Sequence, residues 1–207
     1  MCLSFNIYII MRIYVRHAEK EYVNGDAEQF KHDPSIIEQS YSKCQSKAND
    51  LIYRYGIPFA IVCSPYKRTR ETALKMREEI LNKHNINVPI KIDIKLSEFL
   101  GNHRNDKLDV DDMTFKFNPP HPENFHQMDS RVRWHNDIFK SLDDSSEVIW
   151  YVTHGFIINR VGNAMGFKLP HRISYLSSVA FRPNAPRHHC ELNDGSSGYW
   201  SLIYRET

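Results

Sequence analysis

The sequence predicts an α/β fold, a three-layer α/β/α sandwich with a mostly parallel central sheet. Three observations predict it. Short apolar runs rich in β-branched residues alternate with amphipathic segments of helical period along the chain, the order that parallel strands joined by crossover helices require. Two of the runs, 59–64 and 147–153, are apolar almost throughout, as strands covered on both faces must be. At the C-terminal ends of several runs the chain turns abruptly to Arg, His and Ser, and that edge is where open α/β sheets gather their ligand sites.

Composition agrees. At 207 residues, 41% hydrophobic and 25% charged, the chain reads as one globular domain spanning residues 1–207, with enough apolar side chains for a core of its own. The 27 Lys and Arg against 25 Asp and Glu leave a net charge of +2. That balance excludes the strong basic excess of nucleic-acid and membrane-surface proteins. The four Cys lie far apart with no Cys-x-x-Cys pair, which fits a reducing, cytoplasmic compartment rather than a disulfide scaffold. The unusual count is 11 His.

Residues 1–10 are apolar, but the run ends at Arg12, far short of the ~20 residues of a membrane span. With Met11 opening the next segment, they read as a dispensable extension. Ile13, Tyr14 and Val15 form the first short strand, ending at Arg16-His17. Residues 33–55 place Ile37, Tyr41, Cys44, Ala48, Leu51, Ile52 and Tyr55 at helical spacing, with Ser35 as the N-cap and Gly56 as the C-cap. The run 59–64 is a central strand; Pro65 starts a turn and 68–84 a second helix. Residues 88–96 alternate, with Ile90, Ile92, Ile94 and Leu96 on one side and Lys91, Asp93 and Lys95 on the other, so they predict a half-exposed strand. The stretch 99–125 is largely polar and contains Pro; it reads as an excursion over the rim of a site. A helix over 123–142, a strand over 147–153, a helix over 155–166 and strands near 177–181 and 199–204 complete the chain.

Three strand ends deliver chemistry: Arg16-His17, the segment from Ser64 to Arg68, and His154. Any one His there is more often a hydrogen-bonded structural residue than a catalyst. Two His and two Arg arriving together suggest a phosphoryl group, whose oxygens match the guanidinium fork. A neutral imidazole can attack phosphorus, and at an ordinary pKa near ~6.5 roughly three-quarters of a His is neutral at pH 7. The second His and the Arg pair would stabilise charge on the equatorial oxygens. The leaving oxygen needs a proton. Glu98 is the candidate donor: it continues the apolar phase of the 90–96 run, so it points inward, where desolvation raises a carboxyl pKa.

These residues resemble the histidine phosphatase superfamily, which has the phosphoglycerate-mutase-like fold. The family's Arg-His-Gly-Glu motif appears as Arg16-His17-Ala18-Glu19, and its Asp-Pro-x-Leu-Thr-x-x-Gly block as the run from Asp33 to Ser40. Ser64-Pro65 with Arg68 and Thr72-Ala73 match a third block, and Leu96-Ser97-Glu98 align with the acid-bearing segment. Pro122-Glu123-Asn124-Phe125, Arg131-Val132 and Val152-Thr153-His154-Gly155 follow in the family's order. The resemblance implies a metal-independent phosphomonoester hydrolase without cofactor. His17 would be the nucleophile, with Arg16, Arg68 and His154 binding the phosphate and Glu98 first donating a proton and then activating water. Asn24 stands one position late for the family's phosphate-binding Asn.

Ala18, Ile37 and Ser40 depart from the family's Gly, Thr and Gly, and Ala18 fits if its φ is negative. Glu98 is followed by Phe-Leu-Gly rather than the Arg-His-Tyr-Gly of mutases, which favours hydrolysis over the alternatives of a phosphoglycerate-mutase-type transferase or an inactive phosphate-binding module. His188-His189-Cys190 lacks third and fourth ligands at useful spacing, so no metal is expected. His103, His121 and His126 fall in or beside the rim excursion. The expected partner is a phosphorylated substrate, a small phosphometabolite or a phosphopeptide, with no nucleic acid and no membrane.

Overall fold

The computed structural model describes residues 11–21, 33–99, 123–140, 147–183 and 200–205. Residues 1–10, Asn24, most of the 99–125 excursion and the 188–190 cluster lie outside them.

Six strands form one sheet in the order β3-β2-β4-β1-β5-β6. They are β1 (Met11–Arg16), β2 (Ala60–Cys63), β3 (Ile90–Ile92), β4 (Val148–Thr153), β5 (Ser178–Pro183) and β6 (Trp200–Arg205). The four strands from β3 to β1 run parallel, while β5 pairs antiparallel with β1 and with β6. The helices are α1 (Tyr41–Tyr55), α2 (Lys67–His84), α3 (Phe125–Lys140) and α4 (Gly155–Ala164). None of the helices among the described residues is long and apolar enough to cross a membrane.

Alternation along β1 and β4 builds the layers. Ile13, Val15, Trp150 and Val152 point to one face and pack with Ala48 and Leu51 of α1 and Ala73, Met76 and Ile80 of α2. Tyr14 and Tyr151, stacked at 4.7 Å, point to the other face with Val179 and Phe181, against Met128 and Val132 of α3 and Ile157, Ile158 and Val161 of α4. Both faces are therefore covered, which is why the central runs lack polar alternation.

Two expectations need correction. The helix expected over 33–55 begins later: Glu38–Ser40 form a single 3-10 turn and α1 starts at Tyr41. Residues 35–37 are instead extended, because their backbone is spent on the segment after β1, with Glu21 N–H donating to Ser35 O (2.9 Å) and Ile37 N–H to Glu19 O (3.0 Å). Ser35 is thus no cap; Ile37 occupies that position without a side-chain hydrogen bond. Gly56 does close α1, at φ +83°. The second correction concerns 88–96. Only Ile90–Ile92 are strand, and Asp93 then accepts from Lys95 N–H (2.9 Å) and starts a 3-10 turn over Ile94–Leu96. Ile94 is exposed as a result, and Glu98 reaches the sheet edge from this turn rather than by strand alternation.

Candidate active site

Parallel pairing in register puts Arg16 beside Thr153 and Cys63 beside Val152, so β1, β4 and β2 end level with one another. The residues just past those ends are tied to the same ladder: His17 N–H donates to Thr153 O (2.9 Å) and Ser64 N–H to Val152 O (3.0 Å). The His17 and His154 rings consequently meet edge to face, with centroids 5.3 Å apart. Both side chains are almost completely buried.

Their protonation follows from their surroundings. His17 Nδ1 lies 2.7 Å from Ala18 O. A carbonyl only accepts, so Nδ1 carries the proton and Nε2 keeps a lone pair. Burial, then Arg68 and His154, push the His17 pKa well below its ordinary value, against the smaller opposing effect of the Ala18 hydrogen bond. His154 is lowered by burial first and by Arg68 next. Its Nδ1 faces the donor-only Arg68 Nη2 at 3.5 Å, and its Nε2 lies 3.0 Å from Ser64 Oγ. The favoured tautomer is therefore the one in which Nε2–H donates to the hydroxyl.

Arg68, in the first turn of α2, is buried and bridges two carboxylates. Nη1 donates to Asp33 Oδ1 (2.8 Å) and Nη2 to Glu98 Oε2. Asp33 also accepts from the Lys67 N–H, which gives the start of α2 the acceptor that Tyr66, at its N-cap, does not supply. Burial raises the Asp33 pKa, with Arg68 and that amide holding it back. Sequence reasoning quoted Asp33 only as a helix opening and missed this role; its signal was an acid-Pro pair ahead of a helix, too common to single out. Glu98 is one-third exposed, and its Oε2 lies 3.9 Å from His154 Nδ1. The turn before it is fastened by Thr153 Oγ1 donating to Leu96 O (2.7 Å) and by Arg131 Nη1 donating to Lys95 O (2.6 Å). Arg131 also pairs bidentately with buried Glu123 (2.6 and 2.9 Å), so two of the sequence blocks meet under the Glu98 turn.

Arg16 is aimed by the loop after α4. Nη1 donates to Ile173 O, and the guanidinium lies 4.0 Å over the Tyr175 ring. Leu176, whose N–H donates to Arg16 O (3.1 Å), takes φ +58°, a strained conformation for a branched side chain. Nothing in the sequence signalled Tyr175. A Cβ on Gly155 would come within 3.3 Å of Arg16 Cδ and 3.4 Å of its Nε, so glycine there leaves room for the guanidinium stem. Ala18 is not among the positive-φ residues, and its N–H donates to Thr72 Oγ1 (3.0 Å). The structure thus brings together Arg16, His17, Arg68, Glu98 and His154. Asn24 is outside the described residues, and His126 is exposed on α3. Among the described residues no three His, Cys, Asp or Glu side chains form a metal-ligand cluster.

A sheet edge with two neutral imidazoles, two guanidiniums and one partly exposed carboxylate has the groups to bind a dianion, attack it and move a proton. Comparison with known proteins points the same way. The family model described as histidine phosphatase superfamily (branch 1) matches residues 13–175. Among solved structures, mycobacterial glucosyl-3-phosphoglycerate phosphatase is 18% identical with a TM-score of 0.61, over 93% of this chain and 96% of that one. YhfR of Bacillus stearothermophilus is 18% identical with a TM-score of 0.63, covering 93% and 95%. Entamoeba histolytica phosphoserine phosphatase, solved as a histidine-to-alanine variant with phosphoserine, is 13% identical with a TM-score of 0.59, covering 94% and 95%. No curated protein sequence matches the chain.

Proposed function

The chain belongs to the histidine phosphatase superfamily, branch 1, and from that premise we propose that it hydrolyses phosphomonoesters, without a metal, through a phosphohistidine on His17. The observation that carries this reading is the state of His17. Its Nδ1–H is committed to Ala18 O, and burial keeps the ring neutral, so the Nε2 lone pair is available to phosphorus.

Arg16 and Arg68 hold the phosphoryl oxygens, with Asn24 as a further donor on sequence position alone; His154 joins them once the dianion draws a proton onto its Nδ1, which then donates to a phosphoryl oxygen. Nε2 forms a bond to phosphorus while the bond to the ester oxygen breaks, its electron pair leaving with that oxygen. Glu98 supplies the proton, and the alcohol departs. In the second step the Glu98 carboxylate takes a proton from water, the oxygen attacks phosphorus, and the P–N pair returns to His17 as inorganic phosphate leaves. The ion pair with Arg68 ties Glu98 to the phosphate-binding side of the site. A bound dianion competes with the carboxylate for Arg68. The substrate is a small phosphometabolite or a phosphopeptide; the neighbouring phosphoserine complex supports a small amine-bearing ester as one candidate.

The test is chemical. A radiolabelled phosphomonoester quenched in alkali should leave acid-labile label on the wild type and none on His17→Ala. Hydrolysis of p-nitrophenyl phosphate by that variant should fall by about four orders of magnitude or more. A variant that turns over at the wild-type rate overturns the mechanism.

A further inference from the structure

Three phenylalanines far apart in the chain, one of them the residue next to Glu98, meet in one cluster. Phe99 follows Glu98 directly, Phe125 opens α3, and Phe156 stands in the first turn of α4, two residues after His154. Their ring centroids are 4.6 Å apart for Phe99–Phe125, 5.7 Å for Phe99–Phe156 and 6.2 Å for Phe125–Phe156. All three separations lie in the range where aromatic rings attract one another. Phe99 packs partly against the α3/α4 core, whereas Phe125 is 60% and Phe156 41% exposed. One exposed ring needs no explanation. A cluster of rings held at the surface around a half-buried third does, because it keeps apolar area in water that folding alone would cover.

Its place beside the acid says what it is for. An in-line attack by His17 directs the breaking P–O bond away from the imidazole. The departing oxygen must reach Glu98 for its proton, so the skeleton attached to that oxygen passes Glu98 and arrives at the next residue along the chain. The charges of two ion pairs made by α3, Glu123 with Arg131 and Asp129 with Arg160, are engaged within each pair, so among the described residues these charges do not compete with the rings for a ligand.

We infer that Phe99, Phe125 and Phe156 form the leaving-group subsite and select phosphomonoesters whose alcohol or phenol carries an aromatic ring. The inference rests on the phosphatase reading and narrows its substrate class. The ring of the leaving group lies against Phe125 and Phe156, displacing water from both, while its oxygen stays within reach of Glu98.

Benzyl phosphate and ethyl phosphate test it, since both release a primary alcohol of similar basicity and differ in the ring. Wild-type kcat/KM should favour benzyl phosphate by about tenfold, and Phe125→Ala and Phe156→Ala should each lower that ratio about three- to tenfold, mainly through KM. Both positions are partly exposed, so the variants should stay folded and lose no more than a few degrees in melting temperature. A wild-type ratio near one, or a ratio untouched by both variants, overturns the inference. Binding of benzylphosphonate and ethylphosphonate, which needs no turnover, separates this outcome from failure of the phosphatase reading. A protein that hydrolyses neither ester yet binds benzylphosphonate more tightly, with the preference lost in the variants, keeps the ring subsite and loses the phosphatase reading. Equal binding of the two phosphonates removes the subsite.

Discussion

The two halves of the proposed site, nucleophile and leaving-group, are built in different ways. On the nucleophile side, His17 and His154 follow directly from β1 and β4, whose register is locked over six residue pairs, and both are almost fully buried. Each is placed by backbone geometry before any side chain chooses a rotamer. On the leaving-group side, Glu98 follows a 3-10 turn rather than a strand, is one-third exposed, and depends on Thr153 and Arg131 to hold that turn. The difference separates two requirements. Bond formation to phosphorus tolerates little misplacement, and strand ends supply the rigidity. Proton delivery must accommodate whatever group leaves, and a loop can vary without disturbing the attack.

Short of removing His17 itself, the largest effect should come from breaking the leaving-group half alone. Glu98→Gln keeps the shape of the side chain and removes the proton. With an alkyl phosphate, whose alkoxide departs badly, kcat/KM should fall by about 10²–10⁴, the usual contribution of a general acid. With p-nitrophenyl phosphate, whose phenolate leaves unaided, formation of the phosphoenzyme should slow far less. Single-turnover kinetics on both esters measures the contrast. Equal losses on the two would mean that Glu98 acts on the nucleophile half, through Arg68.

The same division governs what could be read from the sequence. β1, β2 and β4 are buried on both faces, so their apolar runs are local statements of a global position, and the polar residues that end them mark the site. Arg16, His17, Arg68 and His154 were legible for that reason. Glu98 was proposed from a pattern that the structure does not use: the Ile90–Leu96 alternation breaks at Asp93, whose side chain caps a turn in place of continuing the strand. Asp33 and Tyr175 were not legible, since each acts through long-range contacts that spacing along the chain cannot encode. The α1 boundary failed similarly. Residues 35–37 have helical periodicity but exchange hydrogen bonds with Glu19 and Glu21, a tertiary pairing that outweighs local propensity.

A smaller effect sharpens the comparison through pH. The folded-state pKa values of His17 and His154 lie well below the unfolded value near ~6.5. Between those values the unfolded chain binds protons that the native state refuses. Stability from this source is therefore complete above the unfolded pKa and declines as pH falls below it. At pH 5.5 the fold should be less stable than at pH 7.5, with both histidines contributing in the same direction. Asp33, whose folded pKa is raised, acts in the opposite sense at the acid end. Urea unfolding between pH 5.5 and 7.5 reads the slope, and His154→Gln should roughly halve the part due to histidine while leaving that of Asp33. A wild-type slope retained in full by that variant would show that the nucleophile half is not where the protons are refused.

The smallest effect concerns the segment that carries Asp33 into the nucleophile half. Ile37 stands at the N-cap of the turn leading into α1, with extended φ −69° and ψ 147° and no side-chain acceptor for the N–H groups that follow. Ser40 N–H is already taken by Ile37 O (2.9 Å), so the donor a hydroxyl would serve best is Gln39 N–H. Ile37→Thr supplies that oxygen and keeps a β-branched side chain suited to the extended backbone. A cap is worth about 1 kcal/mol, and the apolar contact given up by a half-buried isoleucine reduces the net gain. The melting temperature should still rise by up to about 2–4 °C. Because Asp33 reaches Arg68 through its own side chain, kcat on p-nitrophenyl phosphate should not change with it. A shift in kcat without a gain in melting temperature would instead make the 33–40 segment part of how Arg68 is aimed, and would extend the rigid half of the pocket beyond the strand ends.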